Sequence, residues 1–240
     1  MNCEVIAVGT ELLLGQIVDT NSSWIGEQLA LAGIDSHYQT KVGDNLERMT
    51  AVLTQALARS DAVIMCGGLG PTHDDLTMDG VAGAFGLETE LSQSIAARIE
   101  RAQGRPPNKS QLKMATIPKG ARLVDAGDLW FPVVIVENVH IFPGIPELLR
   151  KKFESIRERF RGVPVLLKRV YVRKRESEIA EDLHELLKEF PELMLGSYPR
   201  IGEERFHVLL TLESRDAGYL QRALDSLLGR LEHDAVHKVE

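Results

Sequence analysis

The stretch GGLGPTHDDLT, Gly67 to Thr77, concentrates the residue types of an anion site. Gly67, Gly68 and Gly70 carry no Cβ, which opens backbone N–H groups to a phosphate. The run MDGVAGAF that follows reads as a helix, and its first N–H groups point at the same anion. Asp74 and Asp75 would repel a bare phosphate; a divalent cation held between these carboxylates and phosphate oxygens removes the conflict. The plainer reading is a tight turn between strand and helix with surface acids. Three glycines, a proline and two adjacent acids in one loop favour the site. Thr72 offers a hydroxyl to phosphate, Thr77 reads as a helix cap, and Pro71 shapes the loop. His73 has the chemistry of an acid or base, but a lone loop histidine is usually idle.

Such a loop needs a sheet edge beneath it. The apolar run Ala62-Val63-Ile64-Met65-Cys66 reads as a buried strand leading into it. Residues 3–9 read as a central parallel strand and residues 35–42 as another. A helix is predicted over 22–32, with Trp24, Ile25, Leu29 and Leu31 toward the core and Gly33 as its stop. Leu46, Met49, Leu53 and Leu57 recur at helical spacing. Strands alternating with helices build a parallel sheet with right-handed crossovers, whose ligands sit beyond the carboxyl ends of the strands. Three loops meet there: Gly9–Asn21, Val42–Asn45 and Gly67–Thr77. Each carries acids.

Downstream, residues 91–116 read as a helix, a turn at Gly104-Arg105-Pro106-Pro107, and a shorter helix near Gln111 to Met114. Lys109 there could neutralise phosphate, although a solvated lysine is the plainer reading. Residues 121–125 read as a strand, and 131–136 with 139–142 as a hairpin about Glu137-Asn138. PGIPELL opens a helix running to about Phe160, with Pro146 in its first turn. Arg161-Gly162-Val163-Pro164 breaks the pattern, so domains are predicted over 1–162 and 163–240. The second reads strand (166–173), helix (177–189), strand (193–198), strand (206–212), helix (216–231). The fold class is α/β, a mostly parallel sheet plus a small C-terminal α+β unit without a chemical motif.

Composition narrows the function. The 240 residues are 44% hydrophobic and 26% charged, with a net charge of −7. That balance opposes binding to nucleic-acid backbones but not to small phosphate-bearing molecules held by N–H groups and a metal. Cys3 and Cys66 both fall in predicted strands and read as small core residues. No basic leader and no long apolar run is present, so a cytoplasmic protein without membrane contact is expected.

The three loops resemble the molybdopterin-binding-like family that includes MogA, MoaB, the gephyrin G domain and the N-terminal domain of CinA. GTELLLGQIVDTN, VGDN and GGLGPTHDDLT are similar to the CinA version nearly residue for residue, over roughly residues 3–160. FPVVIVENVHIFPGIPELLR (Phe131 to Arg150), with LGSYP at Leu195 to Pro199, resembles the molybdopterin-binding-like domain of eukaryotic FAD synthase. That likeness continues into the small unit. DAGDLWFP, Asp125 to Pro132, replaces the Asn-Pro-x-Gly-Thr-Ala-Pro-Gly segment of CinA, which weakens any transfer of ADP-ribose as substrate. The chain ends at Glu240 without the deamidase domain of many CinA proteins, so NMN deamidation is not implied.

The resemblance implies a three-layer α/β fold with the phosphate-bearing ligand on Gly67, Gly68, Leu69 and Gly70. It implies a metal-dependent pyrophosphatase of the ADP-ribose or FAD class, using magnesium or cobalt, with potassium. Asp75 matches the acid shared by the glycine loops of the family, as a metal ligand, against helix capping. Asp44 matches the acid after the second strand, as a second ligand, against capping the helix at Leu46. Asp74 would share the metal or position the attacking water, or be merely solvated. Glu11 would hold a ribose hydroxyl or orient water. Asp19 and Asn21 match the DTN motif, with capping or loop bracing as the plainer reading. Gly144 and Pro146 would shape the pocket. Relatives form dimers and trimers, so a homodimer or homotrimer is expected. Two other readings stand beside hydrolysis: a pterin-binding protein of cofactor assembly, and a nucleotide-binding module without turnover.

Overall fold

The computed structural model describes residues 1–127 and 129–240; Asp128, in the DAGDLWFP segment, lies outside the described residues. The chain divides into two compact units, Met1–Gly162 and Val163–Glu240. The first unit begins β1 (Cys3–Val8), α1 (Thr10–Leu13), α2 (Thr20–Leu31), β2 (Gln39–Val42), α3 (Leu46–Arg59) and β3 (Ala62–Cys66). It continues α4 (Thr77–Phe85), β4 (Thr89–Leu91), α5 (Gln93–Gln103), α6 (Lys109–Met114), β5 (Thr116–Pro118), β6 (Arg122–Ala126), β7 (Leu129–Val136), β8 (Val139–Phe142) and α7 (Pro146–Ile156).

Six strands form one sheet in the order β2-β1-β3-β8-β7-β6. The first four run parallel; β7 turns back on β8, and β6 pairs antiparallel with β7. Alternation along each strand serves two cores. Ile6, Val8, Val63 and Met65 face Met49 and Leu53 of α3 and Val81 of α4. Val5, Ala7, Ile64 and Cys66 face Ile25 and Leu29 of α2 and Leu149 and Phe153 of α7. Helices cover both faces, which is why β1, β3 and β8 are almost continuously apolar, while the edge strand β2 carries Gln39, Thr40 and Lys41. The result is a three-layer α/β unit with a mostly parallel sheet.

Several elements differ from the sequence reading. Leu31 is exposed, because the buried stripe of α2 runs through Ser22, Ile25 and Leu29 and residue 31 lies round the helix. The second strand shortens to 39–42, with Asp35 kept only as an isolated bridge to Asn2. The first loop contains α1, and β4 pairs with β5 in a separate two-stranded ladder.

The second unit comprises β9 (Leu166–Val172), α8 (Glu176–Glu189), β10 (Met194–Pro199), β11 (Val208–Ser214), α9 (Ala217–Arg230) and β12 (Val236–Val239). Its sheet is antiparallel in the order β10-β11-β9-β12. Leu186 of α8 and Leu220 and Leu227 of α9 pack on Val170, Leu210 and Leu212. This is the split β-α-β-β-α-β arrangement. Its last strand, the short and half-polar VHKV, was not predicted. Among the described residues no helix is long and apolar enough to cross a membrane.

Candidate functional site

The glycine loop leaves the end of β3 and is pinned from three sides. Gly67 N–H donates to the Phe142 carbonyl at 3.1 Å, and Thr77 Oγ1 donates to the Gly67 carbonyl at 2.8 Å. Thr77 N–H donates to the Gly68 carbonyl at 3.2 Å. Thr77 is therefore an anchor, not the cap: α4 is preceded by Leu76, which makes no side-chain cap. The first N–H of α4 is also spent on the loop rather than on a ligand.

Gly67 and Gly68 have φ of 104° and 61°, which L-residues rarely adopt. A Cβ at Gly67 would overlap the Val8 carbonyl, and one at Gly68 would overlap Thr77 Oγ1. One at Gly70 would fall 2.5 Å from Asp75 Oδ2. The sequence reading assigned these glycines to phosphate approach; the loop's own packing also requires Gly67 and Gly68, whereas a Cβ at Gly70 would displace only the Asp75 carboxylate. The N–H groups of Gly68, Leu69 and Gly70 have no partner among the described residues.

Asp75 closes the loop from inside. Its Oδ2 accepts from Thr72 N–H at 2.8 Å and from the Thr72 hydroxyl. Thr72 thus gives both donors to Asp75 and neither to a phosphate in this arrangement. The Thr72 carbonyl accepts in turn from Lys113 Nζ. Asp74 lies outside this turn, more than half exposed, and His73 beside it is almost fully exposed. The Asp74 carboxyl is held below the usual carboxylate range, first by the Thr72 hydroxyl and then by its own N–H.

Three cavities meet at Gly68. The first, about 590 Å³, carries Lys109 and Lys113 of α6 opposite Asp75 and Asp79. The second, about 420 Å³, is walled by Leu129, Phe131, Ile145 and Leu148, with Asp75 and Lys152 as its charged groups. The third, about 340 Å³, carries Glu11, Asp19 and Asn21 beside Gly144 and Pro146. Asp75 thus borders two cavities. Lys113, Asp79 and Lys152 were missed by sequence reasoning. Lys109 and Lys113 lie one turn apart on α6, a spacing visible in the sequence.

The first loop braces more than it reaches. Asp19 caps α2, accepting from Ser22 N–H at 2.9 Å. Its Oδ2 is buried without a hydrogen-bond partner, with Lys41 Nζ 3.9 Å away. Asn21 Nδ2 donates to the Gly144 carbonyl at 2.7 Å and so ties the DTN motif to PGIP. The Glu11 carboxylate folds back against Gly9. Asp44 Oδ2 accepts from Thr10 N–H at 2.8 Å, and Asp44 N–H donates to Thr10 Oγ1 at 3.1 Å. Asn45, not Asp44, caps α3. Asp44 lines none of these three cavities.

Among the described residues, no three His, Cys, Asp or Glu side chains gather to hold a metal. Magnesium needs only one or two carboxylates and completes its shell with water and substrate phosphate. A cation at Asp75, whose Oδ2 already takes the Thr72 donors, would need water and ligand oxygens to complete its shell.

A family profile described as "Probable molybdopterin binding domain" matches residues 4–168, and one described as "FAD synthase, middle domain" matches residues 164–240. The crystal structure of CinA from Thermoplasma acidophilum, a protein described as of unknown function, superposes with a TM-score of 0.62 at 31% identity. That match covers 66% of this chain and 97% of that one. A relative in Symbiobacterium thermophilum with a competence-damage inducible name is 35% identical over 239 residues, covering 93% of this chain and 56% of its own length. A CinA-like protein of Crocosphaera subtropica is 39% identical over 165 residues, covering 65% of this chain and 40% of its own. The chain belongs to the molybdopterin-binding domain family. Within it, it is of the CinA N-terminal type. It spans about half the length of the curated relatives it matches.

Proposed function

We propose that the chain hydrolyses the pyrophosphate of a dinucleotide-like substrate of the FAD or ADP-ribose class to two monophosphates. One observation carries this reading: Gly68 borders three chemically distinct cavities, so a ligand with a central anion and two unlike ends fits around it. The unpaired N–H groups of Gly68, Leu69 and Gly70 stabilise charge on the phosphorus centre. Lys109 and Lys113 flank it with positive charge. A divalent cation bound at Asp75 would neutralise phosphate charge and lower the pKa of a water. Asp74 would share that cation or position the attacking water.

The test is product release from FAD, ADP-ribose, NAD and coenzyme A, with magnesium, cobalt or EDTA, beside Asp75→Asn. Hydrolysis of one or two compounds, lost with EDTA and in the variant, is expected. Retention of metal-dependent turnover in Asp75→Asn would remove Asp75 from the chemistry. The sparse acid set favours one competitor, a nucleotide-binding module without turnover. The family description favours the other, a pterin ligand on the same loop.

A further inference from the structure

Lys152 stands where an apolar residue is expected. On α7 it lies on the buried face with Leu149, Phe153 and Ile156, and it is 2% exposed. Lysine is almost never fully buried without a carboxylate partner, and no ion pair to Lys152 occurs among the described residues. Its ammonium donates to the Pro132 carbonyl at 2.8 Å and sits 4.5 Å from the centre of the Phe131 ring. An ammonium has three donors, so this arrangement leaves it undersupplied with acceptors. The same side chain lines the apolar cavity beside the glycine loop.

That cavity, about 420 Å³, lies within the size range of small-molecule sites. Its aromatic and aliphatic walls suit a flat ring. Lys152 supplies donors and no acceptor, so the ring edge that meets it presents acceptors; Asp75 Oδ2, at the loop end of the same cavity, is already taken up by the two Thr72 donors. Adenine places an amino donor beside its acceptor; a ring dione places carbonyl oxygens there. We propose that this cavity is the ring subsite of the substrate, that it takes a planar ring with two carbonyl oxygens on its edge, and that Lys152 donates to one of them. The proposal rests on the reading that the glycine loop holds the pyrophosphate, since that fixes which end of the ligand enters. Burial holds the Lys152 pKa down at about 7, in keeping with a cation that lacks a counter-charge.

The experiment compares FAD, whose flavin is such a dione, with ADP-ribose, which shares its ADP half and lacks the ring. Binding is measured in EDTA to the whole chain, to Lys152→Met, and to Leu148→Trp, which fills the cavity. Wild type should bind FAD more tightly than ADP-ribose. Each variant should lose about tenfold or more for FAD, the scale of one charge-assisted hydrogen bond or a blocked ring, and stay within about twofold for ADP-ribose. No selective loss in a folded variant, or equal loss for both ligands, overturns the subsite. If Lys152→Met does not fold, Leu148→Trp decides by the same criterion. Turnover is scored separately. Selective FAD binding without hydrolysis keeps the subsite and removes the pyrophosphatase reading; hydrolysis of FAD with unchanged KM in both variants does the reverse.

Discussion

Asp75 occupies the space that a side chain at Gly70 would need: a Cβ there would fall 2.5 Å from Asp75 Oδ2. The loop's backbone geometry and its half-buried carboxylate are therefore one object. Gly70→Ala should displace the carboxylate from Thr72 and lower metal-dependent turnover by about tenfold or more, since small displacements of catalytic groups are costly. The fold should survive, because the residue lies on a loop. Activity and thermal melting measured together check this; unchanged activity contradicts it.

The bond from Asn21 Nδ2 to the Gly144 carbonyl joins the first loop to PGIP across the sheet edge. Asn21→Ala removes that donor. A loss of about 1 kcal/mol in stability is expected, together with a raised KM for any ligand that uses the third cavity. Urea melts and steady-state kinetics read the two effects separately.

His140 on β8 has Nδ1 buried without a partner, and its ring lies 5.0 Å from that of Phe160. Burial, helped by Arg159, holds its pKa down at about 4 from an ordinary 6.5. Below pH 6.5 the unfolded chain takes a proton that the folded chain refuses until about pH 4, so stability falls across that window. The full effect is at most about 3 kcal/mol. His140→Leu should flatten this part of the stability–pH curve, as denaturant melts at pH 7, 5.5 and 4 would show.

Lys152 gives the opposite window. Its pKa, lowered from 10.5 to about 7, makes its burial costly wherever it is charged in both states, at and below pH 7. Between pH 7 and 10.5 that cost fades. Any stabilisation in Lys152→Met should be largest at or below pH 7 and shrink by pH 9.5. A difference that grows with pH contradicts the account.

Glu4, fully buried on β1, takes two bonds from Arg59, at 2.7 and 2.9 Å. Arg59→Met leaves that carboxylate buried without a counter-charge, held only by the Thr40 and Ser60 hydroxyls, and should cost about 3 kcal/mol, toward the low end for broken buried pairs because Arg59 is partly exposed. Calorimetry against Arg59→Met/Glu4→Gln should recover part of the loss.

Much of this was legible. The run Ala62–Cys66 and the hairpin about Glu137 and Asn138 are short apolar stretches bounded by turn residues, and both stand where the sequence placed them. The strands β4, β5 and β12 carry three or four residues each, too few to show a period. The reason for the glycines was not legible, because it depends on Val8 and Thr77 folding onto Gly67 and Gly68. The bond that Asp44 takes from the N–H of Thr10 was not legible either, because it depends on the first loop folding back onto the end of the second strand. Lys152 falls within the basic run Arg150-Lys151-Lys152, which masks it. Its helical phase with Leu149 and Ile156 was the signal that pointed inward.

The measurement that bears most directly on the central claim is solvent-oxygen incorporation. FAD and ADP-ribose are each incubated with the protein and magnesium in ¹⁸O-water, and the products are weighed by mass spectrometry. The account predicts two monophosphates from at least one of them, one carrying a single ¹⁸O, with no label and no products in EDTA or with Asp75→Asn. Recovery of both compounds intact, while they remain bound to the protein, would contradict hydrolysis and leave a nucleotide-binding module.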